Sequence, residues 1–181
     1  LEGMTLRGEH NAWNGALALR ACEAFGAAGD HVTEAIRAFR GLPHRLQDLG
    51  LFDGVRCIND SKSTTPRAAL LAIDAYRGEP LRVIVGGYDK KIDLSPLADA
   101  QDVTLYAIGE TAGTLCAGRA RAIACGTLEH AVDRAFRDAS PGDVLLLSPG
   151  CASWDQFEHF EARGETFATL VRRAHRPTPS E

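Results

Sequence analysis

Asp60 and Lys62 lie two residues apart in a polar run that interrupts the hydrophobic pattern of the chain. The apolar residues upstream predict a short strand, and Pro66 downstream is typical of the first turn of a helix, with Thr65 as its N-cap. The run therefore joins a strand end to a helix N-terminus, where free N–H groups favour anions. A lysine here can neutralise phosphate, and an aspartate can bind a sugar hydroxyl or a cation. A solvated turn with a local ion pair is the alternative.

Two further cations follow segments that bend the chain. Arg45 comes directly after Pro43-His44, and its planar, permanently charged guanidinium suits phosphate recognition. We interpret His44 as structural, because no neighbour in sequence makes it a base. Lys90 follows the pair Gly86-Gly87, which lets the backbone approach a ligand, so this lysine could hold a carboxylate. A solvated strand or loop is the competing interpretation for both cations, and the adjacent Lys91 leaves the assignment of Lys90 open.

The segment Ser153–Gln156 has the spacing of a capping box, with Ser153 at the N-cap and Gln156 at the N3 position. It predicts the start of a long helix over residues 154–174. Free N–H groups at that N-terminus could bind a carboxylate. Cys151 has no evident base partner, and we interpret it as a small buried residue rather than a nucleophile.

Composition describes an ordinary globular chain. The 181 residues are 45% hydrophobic and 24% charged, with a formal net charge of −4. This balance argues against a general binder of nucleic acids or anionic membranes, but it permits a local basic site. The five cysteines include no Cys-x-x-Cys pair, so the sequence contains no cysteine metal-binding motif. An odd number of cysteines fits a reducing compartment better than a set of disulfides. The sequence shows no transmembrane run and no secretory h-region.

The hydrophobic pattern predicts an α/β protein: a mostly parallel sheet with helices on both faces and an N-terminal β-hairpin that turns at Asp53-Gly54. The predicted strands span residues 45–51, 54–59, 81–85, 102–108, 122–125 and 144–147. The predicted helices span residues 11–26, 31–40, 67–76, 128–136 and 154–174. Ligands of such sheets bind beyond the carboxyl ends of the strands. We therefore expect the polar segments to converge at that edge.

Five motifs, in their order and spacing, resemble the Mur ligases. The motifs are His10-Asn11-Ala12-Trp13-Asn14, Gly41-Leu42-Pro43-His44-Arg45, Asn59–Pro66, Gly86-Gly87-Tyr88-Asp89-Lys90 and Leu145–Phe157. The resemblance covers nearly the whole chain. It implies that residues 1–40 are the C-terminal helical end of a central, ATP-binding domain, and that residues 41–181 are the C-terminal Rossmann-like domain.

The resemblance also implies roles for single residues. The implied nucleotide contacts are Asn14, Arg45, Asp60 and Lys62, and Lys62 is also the implied catalytic residue. The implied glutamate contacts are Thr64, Lys90, Ser153, Trp154 and Phe160.

The implied activity is ATP-dependent addition of glutamate to UDP-N-acetylmuramoyl-L-alanine through an acyl phosphate, a step of peptidoglycan precursor synthesis. The resemblance implies a cytoplasmic monomer that uses ATP and magnesium and binds neither nucleic acid nor membrane. The chain has no Gly-x-x-x-x-Gly-Lys-[Ser/Thr] phosphate loop, and the magnesium ligands are expected upstream of it. We therefore expect these 181 residues to be inactive alone.

Two alternatives stay open. The polar run, the glycine loop and Leu46-Gln47 depart from the usual D-glutamate pattern, and these changes resemble a subgroup that adds L-glutamate. Ligases that add alanine or a diamino acid fit Ser153–Phe157 less well. A Rossmann-like module that binds a nucleotide without a reaction is the alternative of another class, and a phosphate loop in the parent gene would argue against it.

Overall fold

This computed structural model describes residues 3–27, 29–174 and 177–178. The strands are β1 (Gln47–Phe52), β2 (Val55–Asn59), β3 (Leu81–Gly86), β4 (Val103–Ile108), β5 (Ala122–Gly126), β6 (Val144–Leu147) and β7 (Pro177–Thr178). The helices are α1 (Glu9–Ala24), α2 (Asp30–Ala38), α3 (Pro66–Asp74), α4 (Ser95–Ala98), α5 (Ala112–Cys116), α6 (Leu128–Asp138) and α7 (Phe160–Ala174).

The strands form one sheet of order β5-β4-β3-β6-β2-β1-β7, and its four parallel pairings confirm the predicted α/β architecture. Strands β5, β4, β3, β6 and β2 are parallel, whereas β1 pairs antiparallel with β2 and with β7. Helices α3, α4 and α5 cover one face of the sheet, and α6 and α7 cover the other. Along β3, Val83 and Val85 pack towards the first face and Ile84 towards the second, so the strand is apolar on both sides.

Local sequence signals account for the elements around the site. Asp53 and Gly54 have φ angles of 51° and 80°, as the primed turn of a two-residue hairpin requires, and they join β1 to β2. Thr65 caps α3 by accepting a hydrogen bond from the Ala68 N–H, and Pro66 is the first helical residue. Both features are confirmed as predicted.

The predicted start of the last helix is wrong. Helix α7 begins at Phe160, and residues 153–156 form a turn in which the Ser153 carbonyl accepts from the N–H groups of Gln156 and Phe157. The Gln156 side chain does not reach back to Ser153. Its Nε2 donates instead to the Gly126 carbonyl at the end of β5, at 2.6 Å. A tertiary partner has therefore replaced the local capping box, and with it the predicted helix N-terminus at Ser153.

Candidate functional site

The loops that follow β2, β3 and β6 are joined to one another at the carboxyl edge of the sheet, as the sequence predicts. The Asp60 N–H donates to the Leu147 carbonyl at 2.8 Å, and the Gly150 N–H donates to the Ser63 carbonyl at 2.8 Å. The Tyr88 N–H donates to the Ala152 carbonyl at 2.9 Å. The polar segments thus form one continuous surface where ligands of parallel sheets bind.

Gly87 makes the approach of two of these loops possible. Its φ is +141°, and a Cβ at this position would lie 2.3 Å from the Ala152 carbonyl oxygen. A side chain here would push apart the loop that carries Lys90 and the loop that carries Ser153 and Trp154. Close packing between these loops therefore requires a glycine at position 87, whether or not a ligand binds nearby.

The Asp60 carboxylate is buried and already holds the loops together. Its Oδ2 accepts from the hydroxyls of Ser63 at 2.5 Å and Ser148 at 2.8 Å, and its Oδ1 accepts from the Leu46 N–H at 3.1 Å. Burial raises the pKa of Asp60, and these hydrogen bonds act in the opposite direction. Among the described residues Oδ1 accepts one bond and Oδ2 two, so Oδ1 has the greater capacity left for a ligand.

The segment around Arg45 has an unusual backbone. His44 and Leu46 have φ angles of 62° and 44°, a region that bulky side chains rarely adopt. Two hydrogen bonds to the neighbouring loop stabilise it, one from the Leu46 N–H to Asp60 and one from the Lys62 N–H to the His44 carbonyl. The Arg45 side chain is exposed between these two anchored residues.

Lys62 is exposed, and its Nζ lies 3.9 Å from the centroid of the Phe160 ring, a cation–π contact. The His44 ring packs edge-on against the same phenyl ring, with the centroids 6.0 Å apart. The His44 Nδ1 lies 3.1 Å from the Asn59 amide nitrogen, which supports the structural interpretation of this histidine.

A cavity of about 810 Å³ lies between helices α1 and α2 and the loop that follows β2. Apolar side chains of α1, α2 and α3 and of the segments that flank them form most of its wall. All four residues that the sequence predicts as nucleotide contacts line it: Asn14, Arg45, Asp60 and Lys62. A mostly apolar cleft of this size with a few polar groups at one side is typical of a small-molecule site.

None of the five predicted glutamate contacts is among the residues that line this cavity. Lys90 Nζ lies 5.4 Å from the Trp154 ring centroid, and the Tyr88 and Trp154 rings are 5.5 Å apart. Trp154 is exposed, Thr64 and Phe160 are half-buried, and Ser153 is buried. Phe160 contacts Lys62, which lines the cavity, whereas Ser153 contributes to the turn described above.

The structure distinguishes the two adjacent lysines. Lys91 forms an ion pair with Asp89 at 2.7 Å, and this bond raises the pKa of Lys91 and lowers that of Asp89. Lys90 instead extends over Trp154. This arrangement favours Lys90 as the lysine available to a ligand.

Arg163, which the sequence reasoning missed, is the largest fully buried side chain of the site. Its guanidinium donates to the Ser61 hydroxyl at 3.0 Å, to the Ser61 carbonyl at 2.9 Å and to the Cys151 carbonyl at 3.1 Å. Burial lowers its pKa to about 10, so the group is still charged at neutral pH. The signal was present: Arg163 shares the four-residue spacing of the buried Phe167 and Val171, and a charged residue on an apolar stripe is anomalous.

The described residues contain no candidate metal cluster, and two of the five cysteines, Cys57 and Cys151, are buried. No group of three or more His, Cys, Asp or Glu residues among them could hold a metal ion. All five cysteines are free, and burial raises the pKa of Cys57 to about 12 and also raises that of Cys151. Cys151 is thus a buried, protonated thiol. None of the helices described is both long and apolar enough to cross a membrane.

Comparison with known sequences gives close relatives but no match to a family model. The UDP-N-acetylmuramoylalanine–D-glutamate ligase of Myxococcus xanthus is 41% identical over 177 residues, covering 94% of this chain and 39% of that protein. The ligase of the same name from Desulfitobacterium hafniense is 38% identical, covering 96% of this chain and 40% of that protein. The chain therefore spans about two fifths of the length of these curated relatives.

Solved structures give the same fold. The UDP-N-acetylmuramate–alanine ligase MurC of Thermotoga maritima superposes with a TM-score of 0.67 at 16% identity, covering 94% of this chain and 40% of that one. MurF of Acinetobacter baumannii gives a TM-score of 0.65 at 17% identity, covering 90% and 38%. The chain has the fold of the Mur ligases and is homologous, over nearly all of its own length, to the C-terminal portion of their UDP-N-acetylmuramoylalanine–D-glutamate ligases.

Proposed function

We propose that this chain is the C-terminal part of a longer, ATP-dependent ligase that adds D-glutamate to UDP-N-acetylmuramoyl-L-alanine. The names and the roughly 40% identity of the curated relatives support this proposal. The observation that carries it is geometric: Asn14, Arg45, Asp60 and Lys62 line one cavity, and Lys62 also contacts Phe160.

In this proposal residues 1–40 are the end of a central nucleotide-binding domain and residues 41–181 form the C-terminal domain. The cavity between them receives the nucleotide, with Asn14 towards the base and Asp60 Oδ1 towards a ribose hydroxyl. Arg45 and Lys62 supply positive charge for the phosphates, which suits a phosphoryl transfer that depends on positioning and charge neutralisation. Lys90 binds a carboxylate of glutamate, while Thr64, Trp154 and Phe160 border the amino acid and the buried Ser153 maintains the turn next to it.

The proposed reaction has two steps. The γ-phosphoryl group of ATP passes to the carboxylate of the UDP-linked substrate, which leaves ADP and an acyl phosphate. The amine of glutamate then attacks the acyl carbon, the carbon–oxygen bond to phosphate breaks, and an amide and inorganic phosphate are formed. Lys62 lies between the two substrates, where it can neutralise charge on the phosphoryl group in both steps.

No group of three or more His, Cys, Asp or Glu residues in the described part of the chain could hold a magnesium ion. We propose that its ligands, a phosphate loop and the site for the UDP moiety belong to the rest of the longer protein. The isolated chain is then inactive as a ligase. We further propose that the longer protein is a cytoplasmic monomer.

The test is ADP formation by the longer protein with UDP-N-acetylmuramoyl-L-alanine and either D- or L-glutamate. We expect turnover with D-glutamate and none by the isolated 181 residues. Turnover with L-glutamate alone would transfer the assignment to the L-glutamate ligases. The absence of turnover with both, together with retained nucleotide binding, would favour a binding module.

A further inference from the structure

Arg163 carries a charge into the interior of the protein without an acidic partner. Within the described part of the chain no carboxylate lies at ion-pair distance from its guanidinium, and its three hydrogen bonds go to a hydroxyl and two carbonyls. Burying an unpaired cation is costly, and an apolar side chain of similar volume often packs without that cost. Stability alone therefore does not explain an arginine here.

The guanidinium fixes the peptide bond that precedes Lys62. Arg163 Nη2 holds the Ser61 carbonyl at 2.9 Å, and on the opposite side of the same peptide the Lys62 N–H donates to the His44 carbonyl at 3.1 Å. Since the peptide unit is planar, holding both of its polar groups fixes the N–Cα bond of Lys62. The Ser63 N–H donates to the Asp60 carbonyl at 2.9 Å and holds the next peptide, so the direction in which the Lys62 side chain leaves the backbone is set. The Ser61 hydroxyl is held as well, because it accepts from Arg163 Nε and donates to the Phe160 carbonyl at 2.8 Å.

The same helical turn also contacts the other end of the lysine. Phe160 precedes Arg163 by three residues, a spacing that places two side chains on one face of a helix. The Phe160 ring lies under Lys62 Nζ, at 3.9 Å. The first turn of α7 thus holds the backbone of Lys62 through Arg163 and its amine through Phe160.

Arg163 is also in contact with the loops of the glutamate side. Its Nη1 donates to the Cys151 carbonyl at 3.1 Å, two residues before Ser153. Nη1 would also lie 3.3 Å from a Cβ at Gly87, so the guanidinium lies against the loop that leads to Lys90. One buried group therefore contacts the loops after β2, β3 and β6.

We propose that Arg163 is a positioning residue that sets the direction of Lys62 and its distance from the loops carrying Lys90 and Trp154. Three divergent donors in one rigid plane are required, because the three acceptors lie on two different loops. A lysine keeps the positive charge but lacks the planar arrangement of N–H donors. The variant Arg163→Lys therefore tests the geometry of the hydrogen bonds separately from the charge. The catalytic consequence rests on the proposed function, whereas the positioning itself does not.

The chain contains three lysines, Lys62, Lys90 and Lys91, which permits a direct test by NMR of ¹³C-methylated lysine side chains in the 181-residue protein. The Phe160 ring current should displace the Lys62 methyl signal, which Lys62→Arg would assign. We expect Arg163→Lys and Arg163→Met to return this signal to the position of an exposed lysine. The control is Arg82→Lys, since Arg82 is bonded to Asp143 and Tyr106 instead of the Lys62 loop.

An unchanged Lys62 signal in folded Arg163→Lys would overturn the proposal. If both Arg163 variants fail to fold, amide hydrogen exchange of the unsubstituted chain decides. The Lys62 N–H should then exchange slowly although the residue is exposed, and exchange as fast as in the Lys90–Lys91 loop would overturn the proposal.

In the longer protein, Arg163→Lys should lower kcat about 100-fold, the size of effect expected from a displacement of about 1 Å at a reacting group, with little change in KM for ATP. Arg82→Lys should change neither kcat nor the KM for ATP. Combined with Lys62→Met, Arg163→Lys should cause no further loss, because its effect acts through Lys62. A full additional loss in the double variant would overturn the proposal. If the longer protein is not a ligase at all, the proposed function fails, but the NMR result still decides the positioning role.

Discussion

The two N-terminal helices and the α/β part of the chain differ sharply in the burial of their apolar side chains. In α1 the buried residue is Gly15, while Trp13 and Leu17 are 66% and 67% exposed, and no described residue of α2 is buried. Strand β6, by contrast, is buried along its entire length. The α/β part has a core of its own, whereas α1 and α2 mainly provide one wall of a cavity. The comparison teaches that the core belongs to the α/β part, whereas the proposed nucleotide site needs both parts, with Asn14 from α1 and Arg45, Asp60 and Lys62 from the α/β part.

The largest expected effect is on the core. Leu146→Ala removes a fully buried side chain of β6 and should lower the free energy of unfolding by about 3 kcal/mol, measured by urea denaturation. Leu17→Ala, the matched change in α1, should alter it by less than about 0.5 kcal/mol. Equal losses would show that the helices and the sheet share one core, contrary to the comparison.

Next in size is an effect on the cavity. Arg45→Ala should weaken the binding of a non-hydrolysable ATP analogue to the longer protein about 10- to 100-fold, because a hydrogen bond to a charged phosphate is lost. Arg77→Ala is the control, since Arg77 is exposed and bound to Asp74, outside the cavity wall. Calorimetry measures both, and an equal affinity in the two variants would argue against a nucleotide in this cavity.

The two tryptophans of the chain sharpen the comparison further. Trp154 is 64% exposed, almost as much as Trp13, but it lies beside Lys90. Trp154→Ala should raise KM for glutamate about 2- to 5-fold, the size of one exposed cation–π contact. Trp13→Ala should leave that KM unchanged. Steady-state kinetics of the longer protein measures both values of KM. A raised KM in Trp13→Ala with an unchanged KM in Trp154→Ala would argue against a place for Trp154 beside the amino acid.

The smallest effect is a pH dependence, because the hydrogen bonds to Asp60 oppose the effect of its burial. Its pKa in the folded state is raised above the ordinary value of 3.8, so its contribution to stability is fully present below that value and is lost as pH rises through the folded pKa. The stability of wild type relative to Asp60→Asn should therefore fall as pH increases from about 4 towards neutrality.

Asp89 supplies the control of opposite sign. Its folded pKa is lowered by Lys91, so its contribution is present above the unfolded pKa and is lost as pH falls through the folded one. Urea unfolding of Asp60→Asn and Asp89→Asn over the same pH series compares the two. Parallel pH profiles would contradict the assigned environment of Asp60.

Local signals predicted much of the fold and several features of the site. The Asp53-Gly54 turn, the Thr65 cap with Pro66, and the doubly apolar strand β3 all follow from the residues themselves, because φ preferences, caps and side-chain alternation act over a few positions. Since parallel strands end at one edge, the convergence of the polar segments also followed from the predicted order of strands and helices.

The tertiary structure decided what those signals could not contain. Residues 153–156 have the sequence of a capping box, but they form a turn. In this turn Gln156 donates to the Gly126 carbonyl, and Asp155 accepts from the Glu110 N–H. The sequence predicts that the Asp60 carboxylate binds a ligand, but in the structure it already accepts hydrogen bonds from two serine hydroxyls and the Leu46 N–H. Arg163 acquired its role from acceptors 12 and 102 residues away in sequence. By itself the sequence determined that the polar groups after β2, β3 and β6 lie at one edge of the sheet, since backbone preferences are local. Which of them are free to bind depends on hydrogen-bond partners that folding alone brings within reach.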